Sequence, residues 1–280
     1  MNTVISKDGT RIAYERAGSG PAVILVDGAL GYPGIFGPER LPRLLGDHFT
    51  VYSYARRGRG ESSDALQETP ARSSEAVKQR AVESVAREID DLNALIDEAG
   101  GSAFLYGISS GAALVLEAAA RLSGRVKKLA LYEVPYAADE RDSQNWLGYP
   151  DQLAGLLAEG RNGDAVALFI QATGMPPDQI EEARKSPIWP AFEAVAPTLA
   201  YDHIGLLGDQ SAIPADAAAS VTAPALIMNG GASYEFMGKT AARLAEIMPN
   251  ARHHVIEGQT HEVADEALAP VLIEFFSAGS

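Results

Sequence analysis

Ala103-Phe-Leu-Tyr-Gly-Ile-Ser-Ser-Gly-Ala-Ala-Leu-Val-Leu116 decides how the rest of this chain is read. Four apolar residues lead into Gly107-Ile-Ser109-Ser-Gly111, and the residues that follow favour helix. That order is strand, tight turn, helix, with a serine at the apex. A Gly-x-Ser-x-Gly turn in this setting is a nucleophile elbow. Its backbone is strained so that the serine hydroxyl projects from the strand end. Its glycines leave room where a side chain would collide with the neighbouring strand and helix.

Outward from this turn, strands and helices alternate. Val4-Ile5 and Arg11–Glu15, separated by Asp8-Gly9, predict an opening β-hairpin. Ala22–Val26 is a continuous apolar run, the pattern of a strand buried on both faces. Residues 38–46 read as a short helix and Phe49–Ser53 as a strand. From Glu75 to Ala99, Val77, Ala81, Val85, Ile89, Leu92 and Ile96 recur every three or four residues, which predicts one long amphipathic helix ended by Gly100-Gly101. Lys128–Tyr132 is the next strand. Ala225–Met228 and His253–Ile256 are further strands, followed respectively by helices over Phe236–Met248 and Glu262–Phe276. The alternation implies βαβ units and a mostly parallel sheet.

Residues 136–213 break the rhythm. They carry helical patterns over Asp151–Glu159, Asp164–Thr173, Asp178–Lys185 and Pro190–Leu199, with no strand pattern and with prolines and glycines between. The expected organisation is an α/β core over 1–135 and 214–280, with a helical cap inserted at 136–213 over the carboxyl edge of the sheet.

Composition narrows the function classes. The 280 residues include no cysteine, which excludes disulfides, thiolate metal sites and a cysteine nucleophile. Lys and Arg number 23 against 37 Asp and Glu, a net charge of −14. That balance argues against nucleic-acid partners and anionic membrane surfaces. No secretory leader or membrane-length apolar run is evident, so a cytoplasmic protein is expected. There is no His-Glu-x-x-His pair and no dinucleotide fingerprint, so no metal and no cofactor are expected. Arg56-Arg-Gly-Arg-Gly-Glu-Ser62 has the basic, glycine-spaced look of a phosphate loop but lacks the order of one.

Four features together resemble the α/β-hydrolase fold family over essentially the whole chain. They are the elbow, Val26-Asp-Gly-Ala29 before it, the Arg56–Ser62 loop and the late Gly258-Gln-Thr-His261. The resemblance implies a mostly parallel sheet flanked by helices with an inserted helical cap, and Ser109 as nucleophile. A serine hydroxyl is a feeble nucleophile unless a base oriented by a carboxylate removes its proton. Of five histidines, His261 stands on the loop before the last helix, where the family keeps that base. His48, His203, His253 and His254 stand elsewhere. The oxyanion hole is expected from the backbone N–H of Ser110 and that of Gly28 or Ala29. The Arg56–Ser62 loop is a structural turn in the family and is given no chemistry.

The third member departs from the common pattern. Many relatives hold an Asp shortly after the strand corresponding to Ala225–Met228, where this chain reads Asn229-Gly-Gly-Ala-Ser233-Tyr-Glu235. Ser233 cannot balance an imidazolium. Glu133, at the end of the strand following the elbow helix, and Glu235 both preserve the Ser…acid…His order. The Glu133 arrangement is similar to that of zearalenone hydrolases, lactonases with a Ser–His–Glu triad. Asp27-Gly28 and Ser186-Pro-Ile-Trp189-Pro also match that group. Asp27 is expected either to touch substrate or to brace its loop, and Trp189 to line the pocket. The implied activity is hydrolysis of a small hydrophobic ester or lactone through an acyl-enzyme. Carbon–carbon bond hydrolysis, cofactor-free perhydrolysis and a non-catalytic binding role of the same fold stay open, as does a homodimer.

Overall fold

In the computed structural model, which describes every residue except Pro38, Asn145 and Ser280, eight strands form one sheet in the order β1-β2-β4-β3-β5-β6-β7-β8. They are β1 Asn2–Ile5, β2 Arg11–Gly18, β3 Ala22–Val26, β4 Thr50–Tyr54, β5 Ala103–Ile108, β6 Val126–Tyr132, β7 Ala225–Gly230 and β8 Ala251–Ile256. β1 and β2 form the antiparallel hairpin, and β2 runs antiparallel to β4. From β4 to β8 all neighbours are parallel. The continuous apolar strands lie at the centre, as strands covered on both faces require.

The helices in chain order are α1 Leu41–Leu45, α2 Ser74–Glu98, α3 Ser110–Arg121, α4 Glu140–Gln144, α5 Tyr149–Ala158, α6 Asn162–Ala172, α7 Pro177–Ala183, α8 Trp189–Val195, α9 Ala215–Ser220, α10 Glu235–Ile247 and α11 Asp265–Ser277. α2 starts where Ser73 accepts the N–H of Ala76 and ends at Gly100 and Gly101, both at positive φ. On one face of the sheet, Val85, Leu92, Leu114 and Leu244 from α2, α3 and α10 join β-strand residues in a core. On the other face, Leu45 of α1 and Leu272 and Phe276 of α11 pack on Phe49, Phe104 and Met228. α5 to α8 belong to a third cluster, which includes Leu153, Val166, Trp189 and Tyr201 and also takes in Val77 and Ala81 of α2 and Leu30 of the loop after β3.

Several expectations are corrected at their edges. The helix expected over 38–46 covers Leu41–Leu45, and Pro38 lies outside the described residues. The helix expected from Glu262 begins at Asp265. Pro190–Leu199 is not one helix: α8 ends at Val195, and Ala196–Thr198 is a tighter 3₁₀ turn around Pro197, which lacks an N–H for a helical bond. A π-helical turn at Tyr201–Leu206 follows, which the sequence pattern did not suggest. An isolated parallel bridge between Ala137 and Ala212 ties the ends of the helical segment together. Among the described residues no helix is long and apolar enough to cross a membrane.

Candidate active site

β5 and β6 are paired so that Ile108 lies opposite Tyr132, and β6 and β7 so that Tyr132 lies opposite Met228. Ser109 and Glu133 therefore leave neighbouring strands at the same level, at the carboxyl edge of the sheet. The register is fixed one residue beyond each strand: Ser109 N–H donates to Tyr132 O at 2.9 Å, and Glu133 N–H to Met228 O at 2.9 Å. Both residues depart from ordinary strand geometry. Ser109 has φ 56° and Glu133 φ 48°, and Leu30, on the loop after β3, has φ 60°. Such conformations cost a residue with a side chain of order 1–3 kcal/mol each and persist only where the surroundings over-determine them. Three of the four non-glycine residues with positive φ among the described residues belong to these site-forming turns.

The glycines of the elbow are sterically required. A Cβ on Gly107 would lie 2.6 Å from Gly111 O, and one on Gly111 would lie 2.5 Å from Asp27 O. A Cβ on Gly28 would lie 3.0 Å from Ser109 Cβ, so the loop after β3 runs directly against the serine. Among the described residues, the N–H groups of Gly28, Ala29 and Ser110 meet no protein acceptor. Ser110 opens α3, where the first N–H groups of a helix are unpaired by construction.

Glu133 is almost fully buried, and its two carboxylate oxygens receive three donors. Oε1 accepts from the Gly230 N–H at 2.8 Å, and Oε2 accepts from Ser233 Oγ at 2.9 Å and meets His261 Nδ1 at 2.7 Å. His261 is held from the other side. Tyr132 donates its hydroxyl to Thr260 O, and the Ala232 N–H donates to Gln259 O at 2.9 Å. Glu235, the competing carboxylate, is exposed and paired with Lys239 at 2.9 Å on the surface of α10. So Glu133, not Glu235, meets the histidine. Ser233 donates a hydrogen bond to the carboxylate that meets His261.

A cavity of about 400 Å³ is lined by chain neighbours of these residues, and not by Ser109, Glu133 or His261 themselves. Its lining includes Asp27 beside Gly28, Ile108 beside Ser109, and Val263 two residues past His261, together with Tyr32, Ile35 and Phe36 of the loop after β3. Burial raises the Asp27 carboxyl above its ordinary range, with Arg59 and Arg56 opposing. Glu39, on the same cavity, is pushed up to about 7 by burial and by the neighbouring Asp27 charge. Trp189 is not on this cavity. Its indole is 4% exposed in the third cluster, with Nε1–H donating to Glu193 Oε1 at 2.8 Å and Arg184 over its ring. Tyr201 is likewise committed, donating to Asp64 at 2.7 Å.

The Arg56–Ser62 loop is more than a turn, and composition gave no hint of what it holds. Arg56, Arg57 and Arg59 are all at most 1% exposed. Arg56 makes a two-pronged contact with Glu88 (2.7 and 2.8 Å), and Arg57 does the same with Asp91 (2.8 and 2.7 Å). Asp202, fully buried on the π-helical turn, bonds Arg56 through Oδ1 and Arg59 through Oδ2, both at 2.7 Å. Burial alone would raise the Asp202 carboxyl, but the two arginines outweigh it and hold it low. A readable signal existed. Glu88 and Asp91 fall on the buried stripe of α2, among Val85, Ile89 and Leu92, where only a paired charge is tolerable.

The profile of the alpha/beta hydrolase family matches residues 23–271. An alpha/beta hydrolase from Sphaerobacter thermophilus DSM 20745 is 47% identical, with 99% of this chain and 100% of that one covered and a TM-score of 0.81. The enol-lactonase from Burkholderia xenovorans LB400, 18% identical with a TM-score of 0.69 over 99% of this chain and 100% of that one, shares the fold. A zearalenone hydrolase from Cladophialophora bantiana is 30% identical over 140 residues, 50% of this chain and 49% of that protein. That match thus spans about half the length of either protein.

Proposed function

The chain belongs to the alpha/beta hydrolase family, and from that premise we propose that it is a serine hydrolase that cleaves a small apolar carboxylic ester or lactone through an acyl-enzyme. The observation that carries this reading is the 2.7 Å contact between His261 Nδ1 and the buried Glu133 carboxylate, beside a serine in strained elbow geometry. In this mechanism Ser109 Oγ attacks the ester carbonyl and His261 Nε2 takes its proton. Glu133 holds the Nδ1–H tautomer and balances the imidazolium that forms. The N–H of Ser110 and that of Gly28 or Ala29 donate to the oxyanion, each such donor being worth about 10²–10³ in rate. His261 then gives its proton to the leaving alcohol, and water activated by the same imidazole releases the acid.

The partial match to a zearalenone hydrolase and the shared Asp27-Gly28 favour a lactone or bulky aryl ester. The cavity lined by Asp27 and Ile108 suits such a substrate: Leu25, Tyr32, Ile35, Phe36 and Ile108 supply apolar wall. The test is turnover of a panel of aryl esters and macrocyclic lactones by the wild type and by Ser109→Ala. Loss of all ester and lactone turnover in the variant is expected; undiminished turnover sinks the serine mechanism.

A further inference from the structure

Two buried guanidinium groups grip the loop that runs against Ser109. Arg59 Nη1 donates to Gly28 O at 2.6 Å and to Gly31 O at 3.2 Å, on either side of the positive-φ Leu30. Arg56 Nη1 donates to Asp27 O at 3.3 Å. A trans peptide is planar, so its C=O and the following N–H point in opposite directions. Fixing the carbonyls of Asp27 and Gly28 therefore fixes the directions of the Gly28 and Ala29 N–H groups, the two candidate oxyanion donors of this loop. The guanidinium groups are themselves immobilised. Arg59 has Asp202 on Nη2 at 2.7 Å and Thr198 Oγ1 on Nε at 3.1 Å, and Arg56 has Asp202 and Glu88. Asp202 and Thr198 come from the helical segment between β6 and β7, and the arginines from the loop after β4.

We propose that Arg59, locked by Asp202, is a positioning residue that aims the oxyanion donors of the Gly28–Ala29 turn, so that the catalytic geometry depends on how the helical segment seats on the core. The inference rests on the serine-hydrolase reading. It adds that a residue with no substrate contact controls the chemical step. The arrangement has the features such a device needs. A strained loop is held at both sides of its strained residue, and the holding cation has its planar fork filled by a carboxylate, a hydroxyl and two carbonyls. Lysine supplies the charge but not the fork, so it cannot serve Gly28, Gly31, Thr198 and Asp202 together.

The test compares Arg59→Lys and Arg59→Ala with the wild type on one aryl ester, with thermal unfolding measured on each. Arg59→Lys is expected to lower kcat by about 10- to 100-fold, approaching the loss of one oxyanion donor, with KM within about threefold. For Arg59→Ala, added ethylguanidinium is expected to recover part of kcat while ethylammonium does not, a selectivity that a loss of general stability does not produce. A folded Arg59→Lys enzyme with kcat within twofold of the wild type overturns the proposal. So does a loss that rises only in KM. Should both variants fail to fold, Thr198→Val removes the Nε acceptor, together with that hydroxyl's donation to Val195 O, while keeping Arg59, and is expected to lower kcat severalfold; an unchanged kcat there overturns the proposal equally. Ser109→Ala separates the two levels. If Ser109→Ala is inert while Arg59→Lys is fully active, only this inference fails; if Ser109→Ala is active, the underlying serine mechanism fails.

Discussion

Glu133→Gln is the substitution whose consequences follow most fully from the geometry. The side chain keeps its size, so the buried site is neither emptied nor overfilled. Its hydrogen-bonding capacity changes decisively. The carboxylate now receives three donors, from Gly230 N–H, Ser233 Oγ and His261 Nδ1. Glutamine offers one oxygen and one NH₂. The Gly230 N–H is a donor that cannot turn away, so the amide oxygen is drawn to it and the NH₂ faces the histidine. His261 Nδ1 must then accept, which places the ring proton on Nε2, the nitrogen required to take the proton of Ser109. The substitution thus installs the wrong tautomer without disturbing the fold. The same change in a serine triad lowers kcat by about 10⁴, or roughly 5 kcal/mol of transition-state stabilisation. Stability should fall by only about 1–3 kcal/mol, the worth of converting charge-assisted hydrogen bonds to neutral ones. The assay is steady-state hydrolysis of an aryl ester beside a thermal unfolding curve. A folded Glu133→Gln protein that keeps more than a tenth of wild-type kcat refutes the assignment of the acid.

Three further outcomes are expected. Glu235→Ala should leave kcat within twofold, because Glu235 is spent on Lys239 at the surface of α10; a loss on the scale of Glu133→Gln would exchange the two roles. In the Glu133→Gln background, Ser233→Asp places a carboxylate at the residue already within 2.9 Å of the acid and should restore kcat at least tenfold, measured against Glu133→Gln alone. His203 concerns stability and pH. Burial pushes its imidazole down to about 4, with Asp202 opposing and Arg59 and Arg56 reinforcing. Between about 4 and the ordinary 6.5 the unfolded chain binds a proton that the folded one refuses, so stability drains as pH falls through that window, by about 3 kcal/mol in all. Glu39, raised to about 7, acts with the opposite sign over much of the same range. The measurement is therefore the difference between wild type and His203→Phe in chemical unfolding at pH 7 and pH 4.5. The variant should lose less stability on acidification, and equal losses would contradict the reading.

Much of the fold was legible because its signals are local. The central strands β3, β5, β6 and β7 carry apolar runs bounded by turn residues, and α2 announces itself by its stripe from Val77 to Ile96. The Gly107–Gly111 turn specified both its own geometry and the position of Ser109. Glu133 was readable through chain order, as a carboxylate one residue past a strand. The resemblance to zearalenone hydrolases favoured it over Glu235; its contact with His261 depends on the register of β5, β6 and β7, which no local pattern encodes. The donation from Ser233 to Glu133 was hidden for the same reason, since it joins residues a hundred positions apart. The arginine network was the largest omission. Its partners, Glu88, Asp91 and Asp202, come from separate elements, and a run of Arg and Gly reads as exposed until the acidic residues on the buried face of α2 are set beside it. Trp189 shows the converse, an aromatic that matched a pocket-lining pattern and whose indole N–H is taken up by Glu193.

In the proposed mechanism Ser109 becomes acylated under the control of His261 and Glu133. Its most direct test is rapid quenching of the wild type during turnover of an activated aryl ester, followed by mass spectrometry of the intact chain and of the fragment that contains Ser109. One acyl group is expected on Ser109, formed within a burst, absent in Ser109→Ala and formed far more slowly in Glu133→Gln. An ester cleaved at full rate with no adduct, or an adduct carried by another residue, would contradict that mechanism.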